Sequence, residues 1–169
     1  EGLQDVDFVL TTQELGTMIE ASGLNFAELA PESLDLPLGF KTGAGVLFGT
    51  SGGVTEAVLR FASEKVTGRK LENVDFHAVR GDAGRREATI NLDGKEVRVA
   101  MVHGLKNARR VCEEVKAGTC NYDIIEVMAC PGGCVGGAGQ PVAFNNGTNR
   151  KRAKGLYEAD KMLQLHKSQ

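Results

Sequence analysis

The sequence predicts an α/β fold, with a mostly parallel sheet flanked by helices and one antiparallel β-hairpin. Helical patterns alternate with short apolar runs along the chain, which is typical of a parallel sheet. The pair Asp93-Gly94 separates two strand-like runs, and this dipeptide is the strongest short signal for a hairpin. A further apolar run, residues 122–128, leads directly into a glycine-rich loop that carries two cysteines.

The N-terminal part of the chain predicts a strand, a helix and a loop. Residues 6–11 read as a short buried strand because they are almost continuously apolar. Thr11 or Thr12 then offers an N-cap for a helix over residues 13–21. Residues 24–41 contain two prolines and read as a loop with a short helical piece.

The middle of the chain predicts a helix and three strands. Residues 42–57, here called the glycine-rich segment, contain five glycines and open a helix that ends near Gly68. Residues 74–80 are a candidate strand. Residues 87–92 and 96–102 are the two arms of the hairpin.

Two helices and one strand are predicted in the C-terminal part. A helical stripe that ends at Gly118 consists of Leu105, Ala108, Cys112 and Val115. Residues 122–128 follow as a strand, and residues 148–165 read as a charged amphipathic helix. Because Cys112 lies on the apolar stripe, we expect it in the core.

Composition predicts one soluble globular unit. The 169 residues are 41% hydrophobic and 25% charged. No apolar run approaches the ~18 residues of a membrane span, and no leader peptide is visible. Residues 1–40 carry eight acidic and no basic side chains, and aromatic residues make up 5%. This pattern argues against nucleic-acid binding.

The loop after residues 122–128 is the strongest candidate for chemistry. Residues 129–141, here called the cysteine loop, follow a strand, where α/β proteins usually place their site. Cys130 and Cys134 can both face one polynuclear centre, and Gly133 and Gly137 let the backbone approach its sulfurs.

The cysteines have two other conceivable uses. A zinc site could draw on Cys112, Cys120, Cys130 and Cys134, but zinc knuckles favour a C-x₂-C pair. A redox dithiol of the thioredoxin type would need the same spacing, which the loop lacks. Cys120 reads as an ordinary loop thiol.

The remaining motifs favour structural roles. The run that starts at Gly43 is not a dinucleotide fingerprint because Phe48 replaces its third glycine. His103 and Glu56 read as structural residues. His77 and His166 have no evident partners. Glu126 could orient the cysteine loop by accepting backbone N–H bonds.

The cysteine loop resembles the third cysteine motif of the iron-iron hydrogenases, of the form E-x-M-x-C-x-x-G-C-x-x-G-G-G-x-P. The matching residues are Glu126, Met128, Cys130, Gly133, Cys134, Gly137, Gly139 and Pro141. Ala138 stands where the motif has its middle glycine. The glycine-rich segment also resembles the corresponding segment of that family, and almost the whole chain is similar to part of its catalytic fold.

The resemblance implies an H-cluster, in which a 4Fe-4S cubane is bridged to a di-iron centre with CO, cyanide and dithiolate ligands. Cys130 would bind the cubane, and Cys134 would bind the cubane and bridge to the di-iron centre. Met128 would pack beside the di-iron centre, and Phe48 and Gly49 would line its CO-bearing side. The implied reaction is the reversible interconversion of H₂ with protons and electrons.

The same resemblance implies that the chain has two parts and that it needs partner proteins. Residues 1–147 would form the C-terminal half of the large-subunit domain, and residues 148–169 would begin a small-subunit-like helical tail. A cubane needs four thiolates, and the family's two earlier cysteine motifs do not occur here. We therefore expect a truncated or split enzyme, inactive alone, that needs the rest of the catalytic domain as a partner. The resemblance also implies a ferredoxin- or NAD(P)-linked electron partner and a cytoplasmic location, with the periplasm as the alternative.

A non-catalytic relative is the alternative. The iron–sulfur assembly factors of eukaryotes share the cysteine loop, and an H₂-sensing module would share it too. The assembly factors differ most around the glycine-rich segment, where this chain, with Phe48 followed by Gly49, looks more like a hydrogenase.

Overall fold

The structure, a computed structural model, describes residues 2–32, 35, 41–70, 75–142, 145 and 147–163. The helices in these ranges are α1 (Thr12–Ala21), α2 (Gly43–Leu47), α3 (Gly53–Thr67), α4 (Leu105–Lys116) and α5 (Gly147–Met162). The strands are β1 (Arg85–Leu92), β2 (Lys95–His103) and β3 (Ile124–Met128). Short 3₁₀ turns occur at Phe26–Glu28, His77–Val79 and Cys134–Gly136. The α/β class is confirmed.

The sheet is mixed, with the strand order β1-β2-β3. β1 and β2 form the predicted antiparallel hairpin, in which Asp93 and Gly94 turn the chain with φ values of 53° and 87°. Two positive φ values are what a tight hairpin turn requires. β2 and β3 are parallel and are connected through α4. The expectation of a mostly parallel sheet is therefore wrong for the described residues, because only one of the two strand pairs is parallel.

Two predicted strands do not form. Residues 6–11 contain no strand, and Phe8 and Val9 are 87% and 86% exposed. A strand needs a neighbour for its backbone hydrogen bonds, and none of the described residues pairs with this segment. Of residues 74–80, the first lies outside the described residues, and the others form an irregular stretch followed by the turn His77–Val79.

Helices cover both faces of β2, which is the central strand. Residues 99–103 of β2 are all buried. Val99 and Met101 pack with Leu59 of α3 in one cluster. Ala100 and Val102 pack with Val111 of α4 in a second cluster on the other face. Helices therefore hold β2 from both faces up to its last residue, His103.

Local sequence signals set the helix boundaries. Thr11 caps α1 through a reciprocal capping box, in which its hydroxyl accepts from the N–H of Glu14 and Glu14 accepts from the N–H of Thr11. α3 ends at Gly68, whose φ of 65° is left-handed. The predicted helices over residues 13–21 and 105–118 are confirmed with small shifts at their ends.

Cys112 is exposed, and the prediction that it lies in the core is wrong. α4 is turned so that the adjacent Val111 faces the sheet and is 2% exposed. Leu105 and Val115, two other members of the predicted stripe, are 69% and 52% exposed. A rotation of one residue, about 100°, moves the buried face from one neighbour to the next.

Some predictions extend beyond the residues that the structure describes. α5 confirms the charged helix predicted over residues 148–165 as far as residue 162. His166 and most of residues 33–40 lie outside the described residues. In the part of the chain that the structure describes, no helix combines the length and apolar character needed to cross a bilayer.

Candidate functional site

The cysteine loop follows β3 through a series of tight turns. The N–H of Gly133 donates to the Cys130 carbonyl at 3.0 Å, and the N–H of Gly137 donates to the Cys134 carbonyl at 3.0 Å. Gly132 and Gly133 have φ values of 81° and 97°, which favour glycine. Both cysteines are free thiols, Cys130 half-buried and Cys134 exposed. The loop therefore holds two unpaired thiols on a backbone shaped by glycine.

The cysteine loop lies against the glycine-rich segment. The N–H of Ser51 donates to the Gly132 carbonyl at 2.9 Å, and the N–H of Val135 donates to the Gly49 carbonyl at 3.1 Å. A Cβ on Gly133 would lie 2.7 Å from the Ser51 nitrogen, closer than side-chain carbons come to backbone. Only glycine at this position allows the approach, so the two segments form one surface.

Glu126 supports this surface from β3. Its carboxylate is 7% exposed and accepts hydrogen bonds from the Gly52 N–H, the Thr55 N–H at 2.7 Å and the Thr55 hydroxyl at 3.0 Å. A negative charge there also complements the dipole at the start of α3. Glu126 was expected to orient the cysteine loop directly. Its partners belong instead to the glycine-rich segment, so it acts on the loop through that segment.

A buried ion network lies behind the glycine-rich segment. Arg60 of α3 and Asp160 of α5 share two hydrogen bonds of 2.8 and 2.7 Å, and both side chains are fully buried. Arg60 also donates to Glu56 at 2.8 Å, and Arg80 donates to Glu56 and Asp75. Burial opposes the charged form of Arg80, yet the bonds to Glu56 and Asp75 raise its pKa above the usual range. Every charge in the network is therefore paired, as burial requires.

The network holds α5 against α2. A Cβ on Gly43 would lie 1.8 Å from the Asp160 carboxylate, so glycine makes room for Asp160. The Tyr157 ring lies under Arg80, 4.3 Å from its guanidinium carbon. Burial raises the pKa of Tyr157. Arg152 donates to the Val135 carbonyl at 2.9 Å, which ties α5 to the cysteine loop as well.

The structure brings some of the predicted site residues together. Gly49, Gly133 and the backbone around Cys130 and Cys134 are in contact, as described above. Gly137 lies beside Cys130, since a Cβ on it would be 3.8 Å from the Cys130 sulfur. Phe48 caps the end of α2 and is 45% exposed. Met128 is half-buried at the end of β3, where its carbonyl accepts from the Gly104 N–H.

The other candidates have structural surroundings. His103 is 8% exposed, and its Nε2 lies 3.2 Å from the Asp82 carbonyl oxygen. Glu56 belongs to the ion network, which agrees with the structural role expected for it. His77 is exposed, with its Nε2 3.7 Å from Asp75. Cys120 is a half-buried thiol before β3.

The donor set of this chain is incomplete for a four-ligand metal centre. Across the described ranges, no group of three or more His, Cys, Asp or Glu side chains is arranged to hold a metal ion. The zinc alternative, which needs four cysteines, therefore has no support in the geometry. The cysteine loop offers two thiols and adjacent backbone N–H groups, which is half of what a cubane requires.

Sequence reasoning missed the residues that support the site. The sequence did not single out Arg60, Arg86 and Asp160, which contact the glycine-rich segment or its helix, or Ser51, the member of that segment that binds the cysteine loop. The sequence offered no local signal for this pair: Glu56 and Arg60 lie on the buried face of α3, whereas the apolar Val58 and Phe61 of the same helix are 41% and 45% exposed.

Comparison with known proteins gives one family. Residues 1–138 match the family model described as "Iron only hydrogenase large subunit, C-terminal domain". The periplasmic Fe hydrogenase large subunit of Nitratidesulfovibrio vulgaris is 53% identical over 141 residues, which is 83% of this chain and 34% of the relative. The cytosolic Fe-S cluster assembly factor narfl of Xenopus tropicalis is 33% identical over 160 residues, which is 91% of this chain and 33% of the relative.

A solved structure of a hydrogenase supports the same family. A variant of the FeFe hydrogenase HydA1 from Chlamydomonas reinhardtii superposes with a TM-score of 0.71 at 37% identity, covering 96% of this chain and 48% of that one. The chain thus spans about a third of the length of these curated relatives and about half of the solved chain. Its elements are a fragment of that catalytic fold.

Proposed function

Because this chain belongs to the iron-only hydrogenase family, within the C-terminal domain of the large subunit, we propose that it is part of an iron-iron hydrogenase. The enzyme would interconvert H₂ with protons and electrons. The observation that carries the proposal is the joint between the cysteine loop and the glycine-rich segment, made by the Ser51–Gly132 and Gly49–Val135 bonds. The 53% identity to a hydrogenase large subunit supports it.

In this proposal the chain supplies two of the four cluster thiolates. Cys130 would hold the cubane of the H-cluster, and Cys134 would hold the cubane and provide the link to the di-iron centre. Met128, Phe48 and Gly49 line the di-iron side. When bound, the H-cluster supplies heterolytic H₂ chemistry at an open iron position. The protein's task is to orient the two thiolates and to keep the surrounding backbone rigid.

The residues fit such a group in two respects. Neither thiol is used in a disulfide, and Gly137 keeps the backbone beside the Cys130 sulfur free of a side chain. The other two thiolates must come from another part of the protein or from a second chain. Near the N-terminal end, the apolar side chains of Phe8 and Val9 are almost fully exposed. They form an apolar surface on which the part that supplies the other two thiolates could pack.

The finer assignments follow the same reasoning. We place residues 148–169 at the start of a small-subunit-like tail, with residues 1–147 as the C-terminal half of the large-subunit domain. The electron partner is a ferredoxin- or NAD(P)-linked protein, and the compartment is the cytoplasm, or the periplasm as in the named N. vulgaris relative.

Infrared spectroscopy of the full-length protein tests the proposal. The protein is matured anaerobically, and bands of CO and cyanide are recorded together with H₂ evolution. We expect both signals in the wild type and neither in Cys134→Ser, because a neutral hydroxyl replaces a bridging thiolate poorly. Cys112→Ser, at an exposed position on α4, is the matched control and should keep both.

The alternative function has a distinct outcome. The similarity to an iron–sulfur assembly factor at 33% identity favours a non-catalytic iron–sulfur protein. Bound iron and sulfide without CO and cyanide bands would support that function and overturn the hydrogenase. Wild-type H₂ evolution by Cys134→Ser would overturn the assignment of the bridging thiolate.

A further inference from the structure

Arg86 of β1 reaches the glycine-rich segment from beneath. Its Nη2 donates to the Ser51 carbonyl at 2.9 Å and to the Ser51 hydroxyl at 3.1 Å. Its Nη1 donates to the Ala83 carbonyl at 2.7 Å. A Cβ on Gly52, which has a φ of 96°, would lie 3.2 Å from Nη2 and 2.2 Å from the Val79 carbonyl oxygen. Glycine at this position therefore leaves room for the guanidinium to reach Ser51.

Ser51 connects Arg86 to the cysteine loop. Its carbonyl and hydroxyl accept from Arg86, while its N–H donates to the Gly132 carbonyl. Both peptide groups of Ser51 are thus fixed, one by the cation and one by the loop. Ser51 is 2% exposed, so water does not compete for these bonds. A substitution of Arg86 would therefore affect the backbone of the cysteine loop through Ser51.

The charge of Arg86 differs from that of its neighbours. Arg60, Arg80 and Arg85 each form ion pairs with carboxylates. Within the described ranges, no carboxylate lies within ion-pair distance of Arg86, although Glu126 and Asp82 attract it from farther away. Burial lowers its pKa, and its Nε is buried with no hydrogen-bond partner among the described atoms. Arg86 is thus a cation with no direct ion pair among the described residues, in contact with Ser51 of the site.

From this we infer that Arg86 is a positioning residue of the cluster site, which fixes the cysteine loop through Ser51 and compensates the negative charge of a thiolate-bound iron–sulfur centre. The inference rests on the proposed function. A thiolate-ligated cluster is an anion, and a nearby cation stabilises its reduced form more than its oxidised form. Two of the cluster's ligands would be Cys130 and Cys134, and Arg86 acts on them through Ser51 and through its charge.

Two measurements on the full-length protein test the inference. The first is hydrogen exchange of the apoprotein, in peptides that cover residues 49–53 and 130–137. Arg86→Gln should exchange roughly tenfold faster there, because charged hydrogen bonds to Ser51 are lost. Arg86→Lys keeps the charge and one bond, and it should lie between the two. Unchanged exchange in Arg86→Gln would overturn the positioning role.

The second measurement is the midpoint potential of the cubane, titrated by electron paramagnetic resonance. Arg86→Gln should shift the potential to a more negative value, whereas Arg86→Lys should stay close to the wild type. Arg98→Gln removes the same charge from an exposed position on β2 and is the matched control. An equal shift in Arg98→Gln, or no shift in Arg86→Gln, would overturn the local charge effect. A wild type without any cluster would overturn the proposed function instead, and the two failures are thereby distinguished.

Discussion

The carboxylate of Glu126 on β3 accepts hydrogen bonds from both the N–H and the hydroxyl of Thr55, a residue 71 positions earlier in the chain. The same carboxylate accepts from the Gly52 N–H, so one side chain caps the start of α3. Since Gly49 and Ser51 contact the cysteine loop, the loop has two connections to β3. One is the chain itself, and the other passes through Glu126 and the glycine-rich segment.

Glu126→Gln should destabilise the protein and loosen the site. A glutamine offers one acceptor oxygen and turns an NH₂ group toward backbone donors, so at least one buried N–H loses its partner. We expect a loss of about 2 kcal/mol in the free energy of unfolding, measured with urea. Glu96→Gln, at an exposed position on β2, should change it by less than about 0.5 kcal/mol. Equal stability of the two variants would contradict the role of Glu126.

Gly133→Ala should disrupt the contact between the cysteine loop and the glycine-rich segment. The new methyl would lie 2.7 Å from the Ser51 nitrogen, and the backbone there cannot move away cheaply. We expect a loss of about 3 kcal/mol or more, together with reduced iron content after anaerobic maturation.

Gly118→Ala is the matched control for that change. Gly118 also has a left-handed φ, 70°, but a Cβ there meets no atom within 4 Å. Its cost should be the conformational one alone, about 1–2 kcal/mol. If both glycine variants lose the same stability and keep the same iron, the close approach at Gly133 has no effect of its own.

Asp160→Asn should release α5 from the rest of the structure. The change leaves Arg60 buried with a weaker partner, and breaking a buried pair in this way costs about 3–5 kcal/mol. Limited proteolysis should then cut α5 faster than in the wild type. Glu158→Gln, in an exposed pair on the same helix, should leave the cleavage rate unchanged. Slow cleavage of Asp160→Asn would mean that other contacts suffice to hold α5.

Glu114 should contribute stability that disappears in acid. Its hydrogen bond from Arg85 lowers the pKa of the carboxyl below its ordinary value of 4.5. The contribution is complete above that value and is lost as the pH falls through the lowered pKa. Between about pH 6 and about pH 3, the wild type should therefore lose more stability than Glu114→Gln in urea titrations. Glu113→Gln, at an exposed neighbouring position, should follow the wild type.

The elements that sequence predicted well are those with local signals. The Asp93-Gly94 turn needs positive φ at both residues, which these two residue types tolerate, and the hairpin forms there. The capping box at Thr11 and the left-handed glycine at Gly68 likewise fix helix ends from within a few residues.

The wrong predictions concern which segments contact each other, rather than the local preferences of the residues. Residues 6–11 have strand-like composition, but composition does not supply a neighbouring strand, and the described residues offer none. Val111 and Cys112 are adjacent, so a small error in the phase of α4 exchanged the buried and the exposed residue. In the site, the glycines and cysteines followed a recognisable motif, whereas the Arg60–Asp160 and Arg86–Ser51 contacts join distant positions with no motif to announce them.

The buried pair of Arg60 and Asp160 also limits the order in which helices can pack while the chain is synthesised. The two residues are 100 positions apart, and translation at about 5–20 residues per second separates their synthesis by roughly 5–20 s. Until Asp160 emerges, Arg60 lacks two of the hydrogen bonds that hold its guanidinium. The β1–β2 hairpin, by contrast, is complete with residue 103, before α5 has been made. During synthesis, closure of α5 over α2 therefore follows the formation of the β1–β2 hairpin, and the Arg60 guanidinium gains its full set of partners only at that later step.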